Sequence, residues 1–167
     1  MDSILRDLLA VDTITAFNFF SESLQDVLKN KKFDPDQMVY VASVLAHYAI
    51  NSCEILNDCT EASHLGQIYE FFVLRELARE NSKMYALGGA QLLVFGGFYR
   101  HHMSTRHNLG YYDQLGQSFY SKAGRYTVSP KERRLFEKFS ENFPWWTHVC
   151  SDLQKSLSDK RFLLNCC

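Results

Sequence analysis

A chain of 167 residues is long enough to bury one substantial core. Its 46 % hydrophobic and 22 % charged content excludes intrinsic disorder, and a net charge of −1 argues against a dedicated nucleic-acid binder. Charge is uneven, with 4 basic and 9 acidic groups in residues 1–60 and 14 and 10 in residues 61–167. The plain reading of so mild an asymmetry is two solvated surfaces.

Only three prolines occur, and no cluster of turn residues recurs at strand spacing, so helices are expected rather than a sandwich or barrel. Asp2 stands where a secretory signal needs a cation, and apolar runs such as residues 90–98 are short and glycine-interrupted. A cytoplasmic protein with no membrane span is expected. The five cysteines include no Cys-x-x-Cys pair, which points away from a disulfide framework and from a zinc ribbon.

In residues 3–29, apolar positions at Ile4, Leu5, Leu8 and Leu9 are followed by Ile14, Phe17, Phe20, Leu24, Val27 and Leu28. Steps of three and four place them on one helical face, with Asp12 or Thr13 starting the longer helix. Asp34-Pro35-Asp36-Gln37 is the clearest start signal: Asp34 as N-cap, Pro35 at the first helical position, Gln37 completing a capping-box pattern. The following MVYVASVLAHYAINS is nearly all apolar or small and predicts a central helix buried on most sides. Residues 51–63 read as a loop, and LGQIYEFFVLRELARE as another amphipathic helix.

Residues 83–103 predict one helix carrying Gly89, Gly96 and Gly97 on one side. An internal glycine costs about 1 kcal/mol relative to alanine, so these three mark a close helix contact, within the chain or with the twin helix of a second copy. Arg100, His101 and His102 end that helix favourably for its dipole. Asn108 caps a helix over residues 109–125, with Gly124 loosening its end, and Ser129-Pro130 starts the next. Pro144 is expected to stop that helix before a last one from Trp145, with residues 158–167 as a short tail. One all-α domain, a single bundle of about six or seven helices, is predicted.

GGAQLLVFGGFYRHHMSTRHNLGYYDQLGQSFYSKAG joins an apolar run ending in Gly-Phe-aromatic to a basic turn, a Tyr-Tyr pair and Gly-x-x-x-Tyr. This pattern resembles a group of small, predicted helical bacterial proteins without an assigned function, and YVASVLAHYA is similar to their second helix. The likeness covers about half the chain. It implies a bacterial helical fold and transfers no activity and no functional residue.

Candidate chemistry is sparse. Glu61 and His64 have the Glu-x-x-His spacing of di-iron bundles, but no second such pair exists, and the plainer reading is a helix start. His101, His102 and His107 are candidate metal ligands, with Arg100 and Arg106 beside them as anion-binding candidates. Adjacent imidazoles on a helix point about 100° apart, so a solvated cationic helix end is the plainer reading. Leu87-Gly-Gly-Ala-Gln is similar to the distal helix of haem oxygenase. That family also needs a proximal His early in the chain, and the first one here, His47, reads as a core residue of an apolar helix. Cys53 and Cys59 have no convincing base nearby in sequence, although His47 or His64 could approach in space, and inert thiols are the plainer reading. Gly116-Gln-Ser-Phe-Tyr lacks the second glycine of a nucleophile elbow. Cys166 and Cys167 form no lipidation box and read as oxidisable thiols. Trp145 and Trp146, with Phe139 and Phe143, are candidates for an exposed aromatic contact patch.

The sequence thus favours a non-enzymatic helical protein working through protein contacts or homodimerisation, with no cofactor. The alternative is a helical metal or haem protein using histidines around 47, 64 or 101–107.

Overall fold

In the computed structural model the described residues are 13–55, 81–105 and 107–159. They are all-α, with no strand among them. In order come α1 (Thr13–Leu28), α2 (Pro35–Ile55), α3 (Ser82–Leu93), a π turn (Val94–Phe98), α4 (Arg100–Ser104), α5 (Leu109–Tyr126) and α6 (Pro130–Asp159). No helix among the described residues is long and apolar enough to cross a membrane. The chain divides into two compact units, Met1–Cys59 and Thr60–Cys167.

The first unit is built on a helical hairpin. α1 buries Ala16, Phe20, Leu24 and Leu28, a strict step of four, while Ile14 at its start stays 66 % exposed. Asp34 starts α2 as expected, its Oδ1 accepting from the Asp36 N–H at 3.0 Å. α2 packs against α1 with Met38, Val41, Ala42, Val44, Leu45 and Ala46 buried. Burial on most sides does not follow, because a stripe at Val39, Ser43, His47 and Ile50 is exposed. Steps of four, four and three define that single outward face, and His47 lies on it rather than in the core.

In the second unit α5 packs against both α3 and α6. The fit is small against large. The Gly89 Cα lies under the Tyr120 ring, so that a Cβ there would stand 2.6 Å from Cε2. Gly116 lies under the Phe143 ring, and a Cβ would collide with it. Gly124, far from loosening a helix end, sits inside α5 against the Glu137 Cγ, at 3.2 Å from its would-be Cβ. These contacts let α6 bury Phe136, Phe139, Phe143, Trp146, Val149, Cys150, Leu153 and Leu157.

That stripe also explains why Pro144 does not stop the helix. An internal proline costs about 3 kcal/mol, whereas each large side chain fully buried contributes about 1.5–3 kcal/mol. Phe139 and Phe143 precede the proline and Trp146, Val149 and Leu153 follow it, so one unbroken α6 keeps all five in register. Trp146 is therefore wholly buried, stacked at 6.0 Å on Phe139, and only Trp145 retains partial exposure. The expected aromatic patch is a core.

Short side chains secure the ends. Asn81 Oδ1 accepts from Met84 N at 3.2 Å, Asn108 Oδ1 from Tyr111 N at 3.3 Å and Ser129 Oγ from Glu132 N at 3.4 Å. Ser82 Oγ donates to the Ala123 carbonyl and Ser140 Oγ to that of Gln117, both at 2.7 Å, tying α3 and α6 to α5.

Burial pushes the Cys150 thiol up from 9.0 to about 12. The unfolded chain then loses this proton first, so the stability held by the neutral buried thiol is intact below about pH 9 and is lost as pH climbs towards 12. In urea unfolding, the stability of the wild type relative to Cys150→Ala should fall by about 1–2 kcal/mol between about pH 9 and about pH 10.5. A difference that does not change with pH contradicts this burial.

Candidate functional site at the π turn

Val94-Phe-Gly-Gly-Phe98 interrupts what the sequence reads as one helix over residues 83–103. The Tyr99 N–H donates to the Val94 carbonyl at 3.0 Å, five residues back, which widens the turn by one residue. Such turns concentrate at functional sites. Gly97 makes the turn fit. A Cβ at this position would stand 3.0 Å from the Cys150 Cβ and 3.1 Å from the Thr147 Cα, so the turn lies directly on the α6 backbone. Gly96, though buried, has nothing within 4 Å of its would-be Cβ. The three sequence-predicted contact glycines therefore differ: Gly89 faces α5, Gly97 faces α6, and Gly96 meets neither. Because Gly89 and Gly97 are covered within the chain, they leave no glycine face for a twin helix.

Arg100 closes the site from inside. Its Nη1 and Nη2 donate to Asp113 Oδ1 and Oδ2, each at 3.3 Å, a two-pronged pairing of guanidinium with carboxylate. Nη1 also donates to the Gly96 carbonyl at 2.9 Å and to Thr147 Oγ1 at 3.4 Å, while Thr147 Oγ1 donates to the Pro144 carbonyl at 2.7 Å. One side chain thus ties the π turn and α4 to α5 and α6. The pair is 19 % and 13 % exposed, and at such depth a partner is costly to remove because the remaining charge stays desolvated. This guanidinium serves the fold, which corrects its assignment to an anion site.

Two aromatic groups adjoin this clamp, one next to Arg100 and one next to Asp113 in the chain. Tyr99 packs beside Phe95 and Phe98, with ring centroids 6.3 and 5.4 Å apart. Tyr112 meets Tyr111 edge-on at 5.4 Å and His107 at 5.9 Å. Tyr99 and Tyr111 remain 42 % and 41 % exposed. His101 and His102 are exposed on the short α4, and His107 is half-buried. No group of three or more His, Cys, Asp or Glu suited to a metal ion occurs among the described residues. Glu61, His64, Arg106, Cys166 and Cys167 lie outside those residues.

Asp113 and Thr147 were not singled out by the sequence reading. One signal for Asp113 was present: residues 81–112 contain no Asp or Glu, so a half-buried Arg100 had to draw its partner from beyond them. Thr147 carried no comparable signal. Comparison with known family models, curated proteins and solved structures finds no match to this chain.

The two neighbouring glycines separate helix propensity from steric fit. Gly96→Ala should be neutral or stabilise by up to about 1 kcal/mol, because alanine favours a helix and its methyl meets open space. Gly97→Ala should destabilise by about 1–3 kcal/mol, because its methyl meets α6 backbone. Chemical denaturation of the two variants checks this, and equal effects would refute the packing described.

Proposed function

We propose that this is a non-enzymatic helical protein of the bacterial cytoplasm that works through protein contacts made by its aromatic end. The surface comprises Tyr99 and Tyr111 with the rings of Phe95, Phe98 and Tyr112, edged by His101, His102 and His107. The observation that carries this reading is the exposure of Tyr99 and Tyr111 beside a side-chain clamp that fixes three elements. Tyrosine supplies large contact area at little entropic cost, and aromatic anchors are enriched where interfaces hold most of their binding energy. The surface also calls for no catalytic group beyond those present.

A second copy of the chain is the first partner to test. Sedimentation over a wide concentration range, joined to photo-crosslinking from position 111, should show self-association or one discrete adduct. Tyr99→Ser with Tyr111→Ser should abolish it while leaving the melting temperature within a few degrees of the wild type, since both side chains are substantially exposed. A monomer throughout, with no adduct, contradicts the proposal. Stoichiometric metal or a haem absorption band in freshly purified protein would replace it with ligation by His47, His64 or the histidines at 101–107.

A further inference from the structure

We infer that the turn between α5 and α6 is a docking site for an anionic membrane surface. Its apex, Val128, is 96 % exposed, the most exposed large apolar side chain among the described residues. The backbone around it is held firmly. Thr127 is buried and its N–H donates to the Ala123 carbonyl at 3.1 Å. Its hydroxyl donates to Glu132 Oε2 at 2.7 Å and accepts from the Ser129 N–H at 3.3 Å. Its carbonyl accepts from Arg133 Nη2 at 3.1 Å. These bonds fix the turn at Thr127 and hold the Val128 side chain out in water, with Tyr126, 36 % exposed, beside it.

Cations bracket this apex from both helices. Residues 122–134 hold Lys122, Arg125, Lys131, Arg133 and Arg134 against the single acid Glu132, which is already bonded to Thr127. The next acid, Glu137, lays its Cγ against Gly124. Arg125, Lys131 and Arg134 are exposed. Lys122 stands over the Tyr85 ring, 5.3 Å from its centroid, and Tyr85 stacks on Tyr126.

A soluble polyanion would match the cations but leave the projecting valine without a role. A bilayer surface answers both: anionic headgroups attract the basic side chains, while valine and tyrosine enter the interfacial layer. The contact is peripheral and reversible, since one small apolar tip provides little anchoring by itself. It also lies at the opposite end of α5 from Leu109, about 27 Å away at 1.5 Å per residue. Docking here therefore leaves the aromatic end open and does not depend on its role.

Flotation of the full chain with phosphatidylserine-rich vesicles tests this against pure phosphatidylcholine vesicles and against soluble polyglutamate. Binding is expected to the phosphatidylserine vesicles alone and should vanish at high salt. Val128→Asp should weaken it about tenfold and Lys131→Glu with Arg134→Glu about a hundredfold or more. Thermal unfolding should stay unchanged for both variants, because these side chains are exposed. Absence of binding, equal binding to both vesicle types, or capture by polyglutamate that Val128→Asp leaves intact would overturn the inference.

Discussion

The second unit depends on the seating of one ring. Tyr120 is wholly buried, with Gly89 of α3 beneath it and Phe136, Phe139 and Phe143 of α6 around it at 5.9, 4.7 and 5.7 Å. A side chain of this size can sit between α3 and α6 only if one of them yields volume, and Gly89 is where α3 does so. The same exchange recurs at Gly116 beneath Phe143. Glycine is costly inside a helix, and here the cost is offset by aromatic surface that no larger residue at those positions would allow to be buried. The result also outweighs the proline in α6, since ending the helix at Pro144 would remove Trp146, Val149 and Leu153 from the core they share with Phe139.

From that core the two ends of α5 take different characters. At its start, Asp113 reaches Arg100 and through it the π turn, so the aromatic rings there stand beside a fixed network of charge and hydrogen bonds. At its finish, Thr127 gathers the polar groups of the turn to itself and leaves Val128 outward. In both places a bonded polar side chain, half-buried at Asp113 and buried at Thr127, holds the backbone beside the exposed residues. The rigidity is local and has named causes.

Much of this was legible in the sequence wherever the cause was local. Asp34, Asn108 and Ser129 were readable as helix starts because a short acceptor side chain immediately precedes its own orphan N–H groups. The all-α class followed from apolar steps of three and four. Readings failed where a partner far along the chain decides the outcome. Pro144 is a breaker locally and an interior residue because of packing. Arg100 looked like a helix-end cation because Asp113 lies thirteen residues on, in another helix. Trp145 and Trp146 looked equivalent, yet neighbours about 100° apart on a helix cannot face the same way. His47 took the apolar character of its neighbours, although it shares the outward stripe of Val39 and Ser43. The π turn left no mark in the apolar pattern beyond its two glycines.

The claim that aromatic seating dictates the glycines is tested most directly by a double-mutant cycle between Gly89→Ala and Tyr120→Leu, read by urea unfolding. In the wild-type background the added methyl meets the ring and should cost about 1–3 kcal/mol. With leucine at position 120, which removes Cε2 and Cζ, most of that cost should disappear, giving a coupling of about 1–2 kcal/mol. Additive effects, with Gly89→Ala equally damaging in both backgrounds, would contradict the account.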